Sequence, residues 1–509
     1  MAFVSLFYAL FLLLTLVFYW GFHQERLRLI VLLSASLVFF ATQADGKMVV
    51  YLPLLVISTA INFYFGRALD QKALLPDHAG EADLSNEAWQ YAQSGWNHQR
   101  RRSLLAGILL NVLVLLGFKY IPFFLITLGQ TLQQPSLLEA ADSVSRNLLV
   151  PLGISYFTFE NIAYLVDVYR GAPATPSLLR FATYKFLFAK LTSGPITRYH
   201  HLSTQWKSRP FPSAEALSEA LWLIARGAAK KALLADQLAL VVQPGLDNLA
   251  RAGSLDIWLL TLGYGLQLYL DFSGYVDMAR GSAQLFGLNL PENFRSPYFS
   301  SSIADFWRRW HMTLGDWLRN YLYFPLGGSR RGLGRTCFNL MVVMLVAGFW
   351  HDASWGFLAW GAIHGAAMAV HRLTDEWSQQ RPALQRWWQS PWGGVSAWAL
   401  TQGVVFFSWL FFALPDVSQA WWAVTHLLGH SADGQFAQNI YFEIVGLTRG
   451  QVGLLLALLA IAMAGLHGFG RSLKVQLGWP LKLALVPLLL YGVWQLGQQG
   501  SGSYIYFNF

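Results

Sequence analysis

Two histidines set 40 positions apart, His311 and His351, are the residues of this 509-residue chain best suited to proton chemistry. A neutral imidazole, with a reference pKa of about 6.5, can take the proton from an attacking hydroxyl near neutral pH. His311 lies in a charged, Trp-rich run, FWRRWHMTLGDWLRNYLYFPLGG, while His351 closes the apolar stretch Met341–Trp350 just ahead of Asp352. Only 12% of the chain is charged, and ionisable groups at membrane depth are costly enough to mark function. The bland alternative for His351 is a buried, hydrogen-bonded ring bracing Trp350 and Trp355. Asp352 is placed to orient that ring or to pair with a neighbouring span. His311, His351 and Asp352 lack the spacing of a metal-ligand set, so no metal is expected.

Beside His311, Arg308 and Arg309, with Arg295 nearby, make a cationic cluster. Arginine pairs bidentately with phosphate, which suits a nucleotide-containing donor such as a coenzyme A thioester. Anionic lipid headgroups would use the same residues equally well. A third candidate is the end of the chain. The tether Gln498–Ser503 leads into Tyr504-Ile505-Tyr506-Phe507-Asn508-Phe509. That end reads either as an interfacial aromatic anchor or as a mobile segment whose Tyr506 hydroxyl carries an acyl group.

The elements that must position these groups are membrane helices. The chain is 55% hydrophobic, with 22 Trp, 21 Tyr and 36 Phe. An all-α polytopic membrane protein is expected, with about eleven or twelve spans of the roughly 17–25 apolar residues a bilayer requires. They fall near 3–20, 27–44, 48–66, 104–128, 147–168, 232–249, 255–278, 336–350, 353–371, 395–414, 452–469 and 480–497. The first is expected to be a retained helix rather than a cleaved signal. Asp236 and Pro244 make 232–249 the weakest span. Segments 178–194, 216–230 and 300–327 read as interfacial or re-entrant. A helix over 302–324, capped by Ser300–Ser302 and Asp305, would put His311 on the apolar stripe of Trp307, Leu314 and Leu318.

The net charge of +9 does not require nucleic acid, because cytoplasmic loops of membrane proteins collect Lys and Arg. With the N-terminus outside, only Lys47, Arg146, Arg251 and Arg449 fall on the outer side and Lys119 within a span. That threading places the C-terminus outside. The single cysteine, Cys337, rules out an intramolecular disulfide. One membrane domain, 1–509, is the simplest organisation, with no repeat or paired broken helices of a transporter.

Several stretches occur in a telling order: PLGISYFTFENIAYLVDVYRG (151–171), LTSGPITRY (191–199), KKALLADQLA (230–239), GLQLYLDFSGYVDMARGSAQLFGLNLPENFRSPY (265–298), FWRRWHMTLGDWLRNYLYFPLGG (306–328) and FWHDASWGFLAWGAIHG (349–365). Together they resemble the membrane-bound O-acyltransferases, in particular those of the alginate O-acetyltransferase type. The likeness covers roughly 100–372 plus the aromatic tail. It implies N-terminal helices and a cytoplasmic loop over 1–100, a catalytic core over 100–372, C-terminal helices over 373–497 and an external tail over 498–509. It further implies a ring of tilted helices around a central funnel.

By the same likeness His351 is the catalytic histidine, His311 the second polar position, and Tyr506 the acyl acceptor and relay. Such relatives carry Trp-His-Gly-Ala where this chain has Trp350-His351-Asp352-Ala353. The implied reaction moves acetyl from cytoplasmic acetyl-coenzyme A across a bacterial inner membrane, with no bound cofactor. The implied recipients are a periplasmic esterase-like partner and then a polysaccharide, with membrane lipids around the protein. A D-alanyl or lipid acyltransferase of the same fold, or a transporter without acyl chemistry, are the alternatives.

Overall fold

The computed structural model describes residues 3–71, 86–206, 210–472, 477–497 and 504–505. Tyr506 and residues 72–85 of the polar connection 67–103 lie outside the described residues, and its remainder from Asn86 on is the start of the fourth helix. Among the described residues every regular element is helical, and the chain gathers into two compact units.

The first unit, residues 1–213 with 282–291, carries α1 (Leu6–Gly21), α2 (Glu25–Ala41), α3 (Leu52–Gln71), α4 (Asn86–Leu115), α5 (Ile121–Leu132), α6 (Pro135–Asn147), α7 (Ile154–Tyr169), α8 (Leu178–Phe186) and α9 (Tyr199–Ser203). Much of its polar interior is paired in kind. Asn62, Asn111 and Asn161 exchange side-chain bonds, and Glu160 sits between Lys185 at 3.3 Å and Lys190 at 2.5 Å. Burial of such ions is tolerable only with this pairing.

The second unit, residues 214–281 with 292–509, holds every candidate site residue named above that lies among the described residues. It carries α10 (Ala214–Ala229), α11 (Asp236–Asp247), most of α12 (Ser254–Leu285), the short α13 (Ile303–Arg309) and α14 (Met312–Leu318), then α15 (Leu333–His351), α16 (Trp355–Gln379), α17 (Pro382–Gln389), α18 (Pro391–Ala413), α19 (Val417–Thr425), α20 (Glu443–Val445), α21 (Arg449–Ser472) and α22 (Trp479–Leu496). Local capping explains several starts. Ser302, Ser354 and Ser390 each accept from the backbone N–H three residues on, and Pro391 fills the first position of α18.

All twelve expected spans fall on helices, and among the described residues six helical stretches are both long and apolar enough to cross a bilayer: Gly46–Asp70, His98–Leu132, Leu333–His351, Pro391–Ala413, Arg449–Gly468 and Trp479–Leu496. The others fall short for identifiable reasons. At about 1.5 Å per residue the 16 residues of α1 reach about 24 Å, less than a hydrocarbon core of about 30 Å. α12 and α16 are long enough but not apolar enough, α12 carrying Asp256, Asp271 and Asp277 and α16 being diluted by Gly356, Gly361, His364, Gly365 and His371. The chain is a multi-pass, all-α membrane protein.

The expected helix over 302–324 is not continuous. It breaks at Trp310–His311, where His311 adopts φ 41°, ψ 53° in the left-handed region. The cause is a second segment of backbone. Arg295 N donates to Arg309 O (2.9 Å) and Met312 N to Asn293 O (3.0 Å), so the peptide groups around His311 serve residues 293–295 rather than a helix. A non-glycine residue held there costs of order 1–3 kcal/mol, a strain found most often where a side chain must be aimed.

Candidate active site

His311 and His351 are brought together. Both are buried, at 0% and 2% exposure, with ring centroids 6.4 Å apart. The helical stripe anticipated for His311 is replaced by the strained turn, and that turn inserts the imidazole among Phe272, Trp350 and His351. Its Nδ1 lies 3.2 Å from Asn293 Oδ1, which also accepts from the N–H and hydroxyl of Thr313. An amide oxygen only accepts, so Nδ1 carries the proton and Nε2 is the basic nitrogen. His311 lies outside the spanning helices, and burial pushes its pKa down to about 3. The ring is neutral at any physiological pH.

His351 is the last residue of α15. Around it stand Trp350 (5.0 Å), Phe412 (5.1 Å), Trp360 (5.4 Å, nearly perpendicular) and Phe357 (6.2 Å). The expected neighbour Trp355 is instead half exposed, because the extended Asp352 carries the chain away before α16 begins. No hydrogen bond joins the Asp352 carboxylate to the His351 ring among the described residues. His364, on α16, is held on both sides. Trp307 Nε1 donates to its Nδ1 at 3.3 Å, and its Nε2 donates to Ser408 Oγ at 2.9 Å.

The approach of α15 to α16 fixes this geometry. A Cβ on Gly348 would run into the Phe357 carbonyl oxygen, and one on Gly361 would stand 2.5 Å from Met344 O. Gly361→Val is therefore expected to part the two helices. Overpacking costs about 1–3 kcal/mol, and a displacement near 1 Å between reacting groups costs about a hundredfold in rate. Acyl transfer and the melting temperature of the purified variant check this.

Arg295, Arg308 and Arg309 line one cavity of about 1000 Å³, together with Arg319, Trp307 and Met344. Each arginine has a carboxylate within ion-pair distance. Glu292 holds Arg295 at 2.6 Å, Asp305 holds Arg309 at 2.8 Å, and Asp316 holds Arg319. Arg308 is the least committed, 3.8 Å from Asp305 and 69% exposed. Neither histidine is part of this lining, but both are close in the chain. Met312 follows His311, and Met344 lies seven residues before His351, on the same face of α15. Trp307 links cavity and histidine from the other side, packing edge-on against Trp360. No group of three or more metal-ligating side chains occurs among the described residues.

Sequence reading missed Asn293, which both breaks the helix and fixes the tautomer of His311. It also missed Trp360 and Phe412 around His351, and Arg319 in the cavity. A buried Asn inside the PENF run was the only signal for the first, and nothing in the sequence marks the others.

A helical, multi-pass protein whose buried histidine pair adjoins a cationic cavity fits an acyltransferase that works within the bilayer. The profile of the membrane-bound O-acyltransferase (MBOAT) family matches residues 103–414, beyond the 372 at which the resemblance was first drawn. The chain is 34% identical over 453 residues to the probable alginate O-acetylase AlgI of Pseudomonas aeruginosa, covering 87% of this chain and 78% of that protein. It is 32% identical over 416 residues to the peptidoglycan O-acetyltransferase of Helicobacter pylori, covering 76% and 71% respectively. With the teichoic acid D-alanyltransferase of Streptococcus thermophilus it shares 28% identity over 282 residues, 52% of this chain and 66% of that one. The chain belongs to the membrane-bound O-acyltransferase family, and it is an O-acyltransferase.

Proposed function

We propose that this enzyme takes acetyl from cytoplasmic acetyl-coenzyme A and passes it across a bacterial inner membrane for O-acetylation of an extracytoplasmic polysaccharide. Tyr506, at an outward-facing C-terminus, is the first acceptor, and a periplasmic esterase-like transferase collects the acetyl group from it. In the transfer, His351 removes the phenolic proton of Tyr506 as its oxygen bonds to the thioester carbonyl carbon. The carbon–sulfur bond breaks, and the departing thiolate takes the proton to leave as free coenzyme A. His311, neutral and with its proton on Nδ1, orients through Nε2 rather than acting as an acid.

The observation that carries this reading is the pair of buried imidazoles, 6.4 Å apart, beside the arginine-lined cavity. The acetyl rather than D-alanyl donor is supported by identity, which is higher and longer to the acetyltransferases than to the D-alanyltransferase.

Arg308, the most available cation in the cavity, is assigned to the donor's phosphates. Arg308→Ala is expected to raise KM for acetyl-coenzyme A about tenfold with kcat within about twofold, the pattern of lost uniform binding. The whole reading is tested with proteoliposomes loaded with acetyl-coenzyme A labelled separately on acetyl and adenine. Acetyl label is expected outside and adenine label retained as free coenzyme A. Exit of both labels together would mean transport of an intact substrate and would overturn it.

A further inference from the structure

We infer that Lys231, Asp236 and Asp271 form a buried seat for the C-terminal segment and act as positioning residues for the acyl relay. This rests on the reading of Tyr506 as acceptor. The seat itself is described by residues well inside the second unit. Lys231 Nζ lies 2.7 Å from Asp271 Oδ1 and 2.8 Å from Asp236 Oδ1. All three side chains are nearly buried, at 3%, 2% and 7% exposure. The chain end closes onto this group. Ile505 N donates to Asp271 Oδ2 at 2.9 Å, and the Tyr504 ring lies 4.5 Å from the Lys231 ammonium. Tyr275 packs edge-on against Tyr504 at 5.1 Å, leaving Tyr504 3% exposed.

The charge count argues for a docking role. One ammonium balances one carboxylate, yet two are buried here, and each buried ion costs several kcal/mol unless its bonds are met. The second carboxylate is excess for structure alone. The group thereby holds spare acceptor capacity, one site of which takes the Ile505 N–H in a charge-assisted bond. Asp236 Oδ2 is a further buried acceptor without a hydrogen-bond partner among the described residues.

The local fold is arranged to present this group. The chain from Lys230 to Ala235 forms a π-helical turn, which sends adjacent lysines to separate carboxylates of α12. Lys230 reaches Asp277 at 2.7 Å while Lys231 reaches Asp271, about 9 Å away along the helix axis. This accounts for the run KKALLADQLA, which the active site leaves unused, for Asp271 beside the Phe272 that packs on His311, and for the acidic residue that made 232–249 a poor span. α22 packs along α10 and brings the chain back to the same place, where Gln237 Nε2 donates to Leu496 O at 3.5 Å.

The test uses the full-length protein in lipid nanodiscs with three variants. Ile505→Pro removes the donating N–H without touching the helices. Asp271→Ala removes the acceptor, and the double variant Lys231→Met with Asp271→Leu replaces the ion pair by apolar groups that preserve packing. Carboxypeptidase digestion reports whether Tyr504 is protected. Acetyl mapped to Tyr506 and coenzyme A release report transfer. We expect Tyr504 to be lost at least about tenfold faster in all three variants. kcat for acetylation should fall about tenfold with KM for acetyl-coenzyme A within about twofold, and Asp271→Glu should recover part of the loss. Unchanged protection of Tyr504 in Ile505→Pro and the double variant would overturn the seat. Lost protection with wild-type kcat would overturn its positioning role. If the wild type protects Tyr504 but never gains acetyl on Tyr506, the seat stands and the relay falls.

Discussion

Alanine at His351 is expected to lower acetyl transfer by about a thousandfold or more while the protein still inserts and folds. General-base catalysis by a positioned imidazole contributes roughly 10² to 10⁴, and the loss should exceed the middle of that range because no second base is placed to substitute. The nearest titratable ring, His311, is a weak base, because burial disfavours its protonated form and pushes its pKa down to about 3. His364 has both ring nitrogens engaged by Trp307 and Ser408. The rest of the surroundings, Trp350, Phe357, Trp360 and Phe412, are aromatic walls that hold shape without proton chemistry. The cavity left by the imidazole costs some stability, so membrane yield and melting temperature should be read beside activity. The check is polysaccharide acetylation in cells carrying the variant. Acetylation within about tenfold of wild type would remove His351 from the chemistry.

Tyr506→Phe should have a comparably large effect, with a different signature. The substitution deletes one oxygen and keeps the aromatic ring. Acetyl delivery to polysaccharide should fall to background, and the intact protein should no longer gain an acetyl group. Tyr504 cannot take over, because its ring is buried beneath Lys231 and beside Tyr275. Tyr504→Phe keeps the ring that the seat requires, so it should retain most transfer. Equal activity of Tyr506→Phe and wild type would return the aromatic tail to its alternative role as an interfacial anchor.

Much of this architecture was readable before any coordinates. Apolar run length located the helices, because a helix in a bilayer must hide its backbone and can do so only with apolar side chains. Six of the twelve runs meet the length and apolarity of a full crossing among the described residues, because a run of apolar residues marks a buried helix inside a protein as well as one facing lipid. α1 and α7, at 16 residues each, show how short such helices can be. The three arginines could be grouped by sequence proximity, and they do line one cavity. The turn at His311 was not readable. It depends on hydrogen bonds from residues 293–295, about sixteen positions away, and a helical pattern through Trp307, Leu314 and Leu318 hid it. The pairing of Lys231 with Asp271 was equally invisible, since two helices far apart in the chain supply the partners. Periodicity reports what one element does; it is silent on which elements meet.

The most direct measurement is a single turnover of purified enzyme with labelled acetyl-coenzyme A, quenched and mapped by peptide mass spectrometry, in wild type and His351→Ala. The account predicts acetyl on Tyr506 in the wild type and none in the variant. Acetyl on Tyr506 at the same rate without the imidazole, or acetyl on no residue of the wild-type tail, would contradict it.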